Sequence, residues 1–280
     1  MATPDICVIT NIGVAHLEFF KTREGILQEK SSMIQDMKNG GTIILNGDDD
    51  LLSQMGPVKG STPVFFGLGE NSQFRADHIK PLGLKGTQCT IYLPSGDEFT
   101  CVIPVAGSHM VSNALAGAAV GYTLGLTPEE IKAGIENYTT IPGRNHLIQT
   151  DSLTILDDCY NANPVSTNAA LDVLALSEGR KVAVLGDMGE LGENELDLHY
   201  QVGAYAAGKG IDLVCGIGPM SESLIRGVND AGTTTKGLWF ATKEDFLAAM
   251  DDLIKNGDNV LVKASKYMKL PVVIEALKER

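Results

Sequence analysis

Two short hydrophobic runs near the start of the chain are each followed by side chains that can bind a metal ion or a phosphate. Residues 5–10 lead into TNIGVAHLE, which places His16 just beyond the run, and residues 42–45 lead into NGDDD, which contains Asn46 and Asp49. Ligand sites in α/β proteins form at the C-terminal ends of parallel strands. Imidazole, amide and carboxylate groups at these positions therefore indicate a metal or phosphate site. A polar loop with a surface histidine and an Asx-rich turn are the alternatives.

Three further side chains in the first half of the chain are candidates. Lys30 lies within an amphipathic helix predicted over residues 24–37; alone, a helical lysine is usually a solvated side chain. His109 and Asn113 open an Ala/Gly-rich helix predicted over residues 108–124, and their spacing of four places both on one helix face. An imidazole and an amide there could read the edge of a base, and a helix start favours anions. A capped helix with an incidental histidine explains the pattern equally well.

The second half of the chain offers a cation and two polar segments. Pro142, Gly143 and Arg144 interrupt the helical pattern, and an arginine at such a hinge can fork onto phosphate oxygens; a linker arginine is the alternative. DDCYNANPVS spans residues 157–166 and GDMGELG spans residues 186–192, and each follows a predicted strand. Together they predict a polar cleft wall. The candidates in the first segment are Asp158, Tyr160, Asn161, Asn163 and Ser166.

Three glycine-rich patterns imitate nucleotide-binding loops. Residues 203–209 satisfy GxxxxGK, but Gly210 stands where serine or threonine is required, and the pattern ends a helix instead of opening one. GIGPMS at 216–221 has the right context, yet Ser221 replaces the third glycine, so a plain βα turn is favoured. GLG at 67–69 lies among predicted ribbon turns. The 280 residues therefore contain no credible P-loop.

Two α/β domains account for the alternation of hydrophobic patterns. The first domain is predicted over residues 1–143: buried strands at 5–10 and 42–45 form a mostly parallel sheet, and 61–104 form an antiparallel ribbon with strands at 74–79, 87–93 and 98–103. The second is predicted over residues 144–280, as a doubly wound, Rossmann-like sheet. Its strands are predicted at 153–156, 182–185, 213–215, 237–240 and 260–262.

Composition excludes several classes of protein. Hydrophobic residues make up 44% and charged residues 20%, as in globular proteins, and the net charge of −13 argues against binding to nucleic acid or an anionic membrane. Five scattered cysteines without a CxxC pair argue against a zinc site or a disulfide framework. No apolar run approaches the roughly 18 residues of a membrane span, and no signal peptide is visible. The expected location is the cytoplasm.

Taken together, these segments resemble the Mur ligase family of peptidoglycan synthesis. The resemblance covers nearly the whole chain, through TNIGVAHLEFF, REGILQEKS, NGDDD, GSHMVSNALA, PGR, DDCYNANPVS and GDMGELG. The last two segments point within the family to ligases that join D-alanyl-D-alanine to UDP-N-acetylmuramoyl-tripeptide. The resemblance implies a central ATP-binding domain, present here only in its C-terminal part, followed by a Rossmann-like C-terminal domain.

The resemblance also implies roles for the candidate residues. His16 and Lys30, the latter carbamylated, would hold Mg²⁺, and with Arg144 they would be catalytic. Asn46 and Asp49 would lie near the nucleotide or its metal, and His109 and Asn113 would recognise adenine. Arg144 and Asp158 would reach the ATP phosphates and ribose. The substrate cleft would be shaped by Tyr160, Asn161, Asn163 and Ser166. The segment KASK at 263–266 departs from the family's KGSR at Ala264 and Lys266, which puts a tight loop contact in doubt.

The implied reaction is ATP-dependent amide formation through an acyl phosphate. The family's P-loop would precede residue 5, so we expect these 280 residues to be part of a longer ligase and to be inactive alone. The parent would be monomeric, and this chain would have an exposed sheet edge prone to self-association. A non-catalytic nucleotide- or peptide-binding module, another Mur or folylpolyglutamate-type ligase, and least of all a dehydrogenase are the competing interpretations.

Overall fold

The computed structural model describes residues 3–13 and 17–280, except for the side chains of residues 17 and 18. His16 therefore lies outside the described residues. The chain separates into two compact units, residues 1–139 and 140–280. Among the helices that the structure describes, none is long and apolar enough to cross a membrane.

The first unit is built on one six-stranded sheet with the order β1-β2-β3-β4-β5-β6. The strands are β1 (Ile6–Ile9), β2 (Thr42–Asn46), β3 (Val64–Gly67), β4 (Phe74–Pro81), β5 (Thr87–Tyr92) and β6 (Glu98–Ile103). The helices are α1 (Leu17–Phe20), α2 (Arg23–Gln35), α3 (His109–Thr123) and α4 (Pro128–Glu136). β1 pairs with β2 on one side, and no strand of the described residues lies on its other edge.

The sheet of the first unit changes from parallel to antiparallel along its order. β1, β2, β3 and β4 pair in parallel, whereas β4, β5 and β6 form the predicted antiparallel ribbon. The prediction that the ribbon begins near residue 61 is wrong, because β3 is a parallel strand in register with β2. Parallel partners lie far apart in sequence, so no local turn signal marks such a short strand.

Both faces of this sheet are covered near β1 and β2. The face that carries Cys7 and Leu45 packs against Ile26 and Ile34 of α2. The opposite face packs against α3. Covering both faces explains why the sequence of β2 is a continuous apolar run and not an alternating one. α4 begins with the predicted Thr127 cap, which forms a capping box with Glu130.

The second unit contains a six-stranded sheet with the order β11-β10-β9-β12-β8-β7. The strands are β7 (His146–Gln149), β8 (Thr154–Asp157), β9 (Lys181–Gly186), β10 (Leu213–Ile217), β11 (Lys236–Phe240) and β12 (Asn259–Lys263). The helices are α5 (Pro164–Ala175), α6 (Glu195–Ala207), α7 (Ser221–Asp230), α8 (Lys243–Leu253) and α9 (Pro271–Lys278). All five predicted strands are present and parallel. β7, a half-buried antiparallel edge strand, was not predicted.

The connections of the second sheet diverge where β12 lies between β9 and β8. Helix α6 packs against both α5 and α7, whereas α8 packs against α9. The chain thus leaves β8 and β9 toward one group of helices and leaves β12 toward the other. Such a divergence opens a crevice at the C-terminal ends of the strands, where α/β proteins bind ligands. The segments after β8, β9 and β12 are therefore the candidate ligand-binding segments of this unit.

The GxxxxGK pattern is confirmed as the end of a helix. α6 ends at Ala207 and the chain continues into β10. Gly203 faces α7, and a Cβ atom there would lie 1.8 Å from the carbonyl oxygen of Leu224. On the facing side of the same contact, Gly227 of α7 lies against α6, and a Cβ atom there would lie 2.1 Å from the carbonyl oxygen of Tyr200. Both glycines therefore serve the close approach of two helices.

Candidate nucleotide and substrate sites

The loop that follows β1 is fixed from outside by predicted site residues. Asn46, at the end of β2, donates its side-chain amide to the carbonyl oxygen of Thr10 at 2.9 Å. Lys30 of α2 donates its Nζ to the carbonyl oxygen of Asn11, also at 2.9 Å. Two predicted site residues thus converge on one loop, which in the sequence leads to His16.

Asp49 fixes the same loop through its carboxylate. Oδ2 accepts the backbone N–H of Ile12 at 2.7 Å, while Oδ1 accepts the N–H groups of Leu51 and Leu52 at 3.1 and 3.0 Å. The Asx-rich turn expected from NGDDD is therefore present. Its neighbour Asp48 accepts the N–H groups of residues 68 and 69, which gives the GLG segment a structural partner.

Arg23 completes the support of this loop and was not singled out by the sequence analysis. Its Nε donates to the carbonyl oxygen of Ile12 at 3.0 Å, and its two terminal nitrogens form a fork onto the carboxylate of Asp50. The signal available in the sequence was an arginine at the start of a helix, opposite an acidic turn.

The Lys30 amine has a depressed pKa. Partial burial, which penalises the charged ammonium, lowers the pKa, and the nearby charge of Asp49 opposes this shift. A larger fraction of neutral amine makes the side chain a better nucleophile at a given pH.

No cluster of three or more His, Cys, Asp or Glu side chains suited to a metal occurs among the residues that the structure describes.

A hydrophobic groove of about 430 Å³ lies between α3 and α4. Asn113, Glu130 and Tyr138 contribute the polar side-chain groups of its lining. Asn113 is exposed, and its amide donates to the sulfur of Met110 at 3.5 Å. His109 is exposed at the start of α3 and does not line the groove. The structure thus assigns only one of the two predicted base-reading residues to this groove.

In the second unit, Arg144 stacks on Tyr160. The guanidinium carbon lies 3.9 Å from the centroid of the Tyr160 ring, and Nζ of Lys266 lies 5.5 Å from the same centroid. Tyr160 is 45% exposed, so this cationic surface faces solvent. Within the described part of the chain, neither cation has a carboxylate partner in an ion pair. This pair of cations contrasts with the net charge of −13 of the whole chain.

Asp158 is partly buried and uses both carboxylate oxygens. Oδ1 accepts the backbone N–H of Asn145 at 3.0 Å, and Oδ2 accepts Nζ of Lys263 at 2.6 Å. Lys263 ends β12, is 3% exposed, and also donates to the carbonyl oxygen of Asn161 at 3.0 Å. The sequence signal for Lys263 was a lysine directly after a fully buried strand. A carboxylate has about four acceptor positions, so Asp158 retains capacity for a ligand hydroxyl.

Asn163 and Ser166 form the capping box of α5. The side-chain oxygen of Asn163 accepts the N–H of Ser166 at 2.9 Å, and the hydroxyl of Ser166 accepts the N–H of Asn163 at 3.1 Å. These side chains shape the loop after β8 by fixing where α5 begins. Asn161 is exposed in the same loop, and its backbone carbonyl oxygen accepts Nζ of Lys263.

The GDMGELG segment is held by three residues from other elements. Ser265 accepts the N–H of Gly189 at 2.8 Å and donates its own N–H to the carbonyl oxygen of Asp187. The Asp187 carboxylate is buried and accepts both the N–H and the hydroxyl of Ser221 at 2.8 Å. A Cβ atom at Gly218 would lie 2.6 Å from Oδ2 of Asp187. An internal carboxylate therefore occupies the helix start at which a dinucleotide fold binds phosphate.

His199 of α6 is the third support of that segment and was missed by the sequence analysis. It is fully buried; Nε2 accepts the N–H of Met188 at 2.9 Å, and Nδ1 lies 2.6 Å from the carbonyl oxygen of Glu195. Burial lowers the pKa of the imidazole, while the nearby acidic groups oppose the shift. This pattern requires a neutral ring with the proton on Nδ1.

The fold and these strand-end clusters define a two-domain α/β protein of the ligand-binding type. Comparison with protein families is consistent and more specific: residues 1–121 match the Mur ligase middle domain, and residues 143–266 match the Mur ligase, glutamate ligase domain. The chain belongs to the Mur ligase family, as the sequence analysis predicted.

Relatives within the family show which of its ligases this chain is similar to. UDP-N-acetylmuramoyl-tripeptide–D-alanyl-D-alanine ligase of Bacillus subtilis is 35% identical over 100% of this chain and 60% of its own length. The Escherichia coli protein of the same name is 34% identical over 100% of this chain and 61% of its length. The chain thus spans about three fifths of the curated relatives that it matches.

Solved structures give the same result. MurF from Acinetobacter baumannii superposes with a TM-score of 0.89 at 30% identity, covering 99% of this chain and 60% of that one. MurF ligase from Thermotoga maritima, solved in complex with ADP, superposes with a TM-score of 0.85 at 28% identity over 99% and 62%. The predicted fold class, two α/β domains of the Mur ligase type, is confirmed.

Proposed function

We propose that this chain is the nucleotide- and amine-binding part of an ATP-dependent ligase that joins D-alanyl-D-alanine to UDP-N-acetylmuramoyl-tripeptide. The single observation that carries the proposal is the match of the whole chain, at about one third identity, to relatives bearing that name. Residues 1–143 would be the C-terminal part of the central ATP-binding domain, and residues 144–280 the Rossmann-like domain. The reaction would take place in the cytoplasm.

The chemistry of the proposed reaction is phosphoryl transfer followed by acyl transfer. The tripeptide carboxylate attacks the γ-phosphorus of ATP, and ADP leaves. The amine of D-alanyl-D-alanine then attacks the acyl phosphate carbonyl, and phosphate leaves from the tetrahedral intermediate. Most of the rate enhancement in such a sequence comes from positioning the reactants and neutralising phosphoryl charge.

Residues of the first unit fit the nucleotide side of this reaction. The groove between α3 and α4 has the size and apolar lining that suit a planar base, and Asn113 offers an acceptor at its edge. His109, exposed at the start of the same helix, would contact the base or ribose from outside the groove. Asn46 and Asp49 would act by holding the loop after β1, since their polar atoms already bond to it.

Lys30 fits the proposed magnesium site through its chemistry. A desolvated amine with a lowered pKa is the form that reacts with CO₂ to give a carbamate. That carbamate and His16 would be the protein ligands of Mg²⁺, which when bound neutralises charge on the phosphate oxygens. The contact of Lys30 with Asn11 would fix the distance between the side chain and the loop leading to His16.

Residues of the second unit fit the phosphate and amine side. The guanidinium of Arg144, held over the ring of Tyr160, would present its donors for a fork onto phosphate oxygens. Asp158 would accept a ribose hydroxyl with its remaining lone pairs. Tyr160 and Asn161, which are exposed beside Arg144, would contact the amine substrate, while Asn163 and Ser166 fix the shape of that loop.

A domain exchange tests the amine specificity of the proposed ligase. Residues 140–280 replace the corresponding segment of the Bacillus subtilis relative, and phosphate release is measured with UDP-N-acetylmuramoyl-tripeptide and a panel of amines. The proposal expects release with D-alanyl-D-alanine. A folded chimera that binds ATP but uses D-glutamate or a single L-amino acid would overturn it.

A titration of the chain itself separates the ligase from its main rival. Binding of ADP or ATP with Mg²⁺ is measured by calorimetry for the wild type and for Asn113→Leu, with Tyr138→Phe as the control at the same groove. Nucleotide binding that Asn113→Leu weakens, together with an active chimera, supports the ligase. Nucleotide binding with an inactive chimera favours a binding module without turnover.

A further inference from the structure

A buried lysine lies at the centre of the loops that carry Arg144 and Tyr160. Lys263 is 3% exposed at the C-terminal end of β12, where the connections of the sheet diverge. Its Nζ reaches the carboxylate of Asp158 at 2.6 Å, the carbonyl oxygen of Asn161 at 3.0 Å and that of Asp158 at 3.5 Å. All three donors of the ammonium are therefore directed at the loop after β8.

That loop in turn holds the segment around Arg144. The second oxygen of Asp158 accepts the N–H of Asn145 at 3.0 Å. The neighbouring Asp157 carboxylate accepts the N–H of Gly143 at 2.8 Å, and Tyr160 donates its N–H to the carbonyl oxygen of Gly143 at 3.1 Å. Residues on both sides of Arg144 are thus tied to the loop that Lys263 holds.

The backbone around Arg144 needs this support. Gly143 has φ +81° and Asn145 has φ +46°, so both residues flanking Arg144 are in the left-handed region. A non-glycine residue pays conformational energy to stay there and does so only when its surroundings fix it. The hydrogen bond from Asn145 to Asp158 is one such constraint, and it depends on a carboxylate that Lys263 neutralises.

We propose that Lys263 is a positioning residue that, through Asp158, fixes Arg144 against Tyr160 and directs its guanidinium toward an anionic group of the bound nucleotide. The assignment of the nucleotide rests on the proposed function. The positioning of Arg144 does not, because it concerns contacts within the second unit alone. Without Lys263, the Asp158 carboxylate is left partly buried without its cation, and the bond to Asn145 loses its anchor.

The first test reads the position of Arg144 directly. The ring of Tyr160, 3.9 Å away, shifts the Nε–H and δ-proton NMR signals of Arg144 upfield, and Tyr160→Leu identifies those signals by removing the shift. Lys263→Met is expected to abolish the upfield shift while leaving the core amide signals of the second unit in place. Unchanged Arg144 signals in a folded Lys263→Met variant would overturn the proposal.

The matched control is the ion pair at the other end of the same strand. Arg180 pairs with the buried carboxylate of Asp258 at 2.6 Å, immediately before β12 begins. Arg180→Met removes a cation from a buried carboxylate in the same unit, and it is expected to leave the Arg144 signals unchanged. If both variants move Arg144 equally, the effect is general destabilisation and the proposal fails.

The second test reads the consequence for binding. Lys263→Met and Arg144→Ala are each expected to weaken ADP binding about tenfold, and the double variant is expected to be no weaker than either one. Additive losses would show that Lys263 does not act through Arg144. If the wild type does not bind ADP, the proposed function fails, and the NMR comparison alone decides the positioning role. Where Lys263→Met does not fold, Lys263→Gln, which retains a donor for Asn161, replaces it in both measurements.

Discussion

Acid should destabilise the second unit through His199, and the size of the effect follows from its surroundings. In the fold, Nε2 accepts the N–H of Met188 and Nδ1 donates to the carbonyl oxygen of Glu195. Protonation of Nε2 would place its N–H opposite the backbone N–H of Met188, so that two hydrogen-bond donors face each other within the core. The folded state therefore excludes the second proton, and burial lowers the pKa of the imidazole accordingly.

The sign and magnitude of the pH effect follow from proton linkage. The unfolded imidazole has its ordinary pKa of 6.5 and binds a proton as the pH falls through that value, whereas the folded imidazole, whose pKa is lowered, binds it only at lower pH. Stability due to His199 is complete above the unfolded pKa and decreases below it. Between pH 7.5 and 5.5 the loss is at most about 1.4 kcal/mol, the limit for a folded state that binds no proton in this range.

The single tryptophan makes this effect measurable in one unit. Trp239 lies in β11, and its indole N–H donates to the carbonyl oxygen of Gly218, so its emission reports unfolding of residues 140–280. Urea titrations followed by this emission are compared for the wild type and His199→Gln at pH 7.5, 6.5 and 5.5. The wild type should lose up to about 1.4 kcal/mol more than the variant over this range. A stability difference that stays constant with pH would refute the neutral-histidine interpretation.

Three further outcomes follow from particular contacts. Gly203→Ala should destabilise the second unit by about 1–3 kcal/mol, because the new methyl group would meet the α7 backbone. The control is Gly134→Ala, which should be neutral or stabilising because nothing lies within 4 Å of its Cβ position. Thermal melts of the two variants and the wild type measure the difference. Asp49→Ala should cost about 2–3 kcal/mol and accelerate hydrogen exchange at the amide of Ile12, and unchanged exchange there would contradict the assigned contact. After reductive ¹³C-methylation, the lysine signal with the lowest titration midpoint should disappear in Lys30→Gln and persist in Lys38→Gln.

Local patterns were sufficient where structure depends on near neighbours in sequence. The antiparallel ribbon was predicted because its strands alternate and are separated by glycine and proline turns. The capping residue Thr127 was predicted because its hydrogen bond spans only three residues. β3 and β7 escaped prediction because only their pairing, with β2 and β8, distinguishes these short segments from loops.

In the candidate site, too, the features that depend on a short segment of sequence were predictable, and the contacts between distant segments were not. Motif residues such as Asn46, Asp49 and Asp158 were recognised in the sequence, since polar residues after buried strands stand out from their surroundings. What each side chain bonds to was not predictable. Asp158 meets Lys263 across 105 positions of sequence, and such a distance leaves no periodic or local trace.

By itself, the sequence determined the family, the two α/β domains and the candidate site residues, because motifs and hydrophobic periodicity are properties of short segments. Only the tertiary structure decided how those residues are used: that the buried Lys263 pairs with Asp158, that the Asp187 carboxylate occupies the start of α7, and that His199 must remain neutral. The physical reason is that burial sets the free energy of a charge, and burial is created only when distant segments pack together.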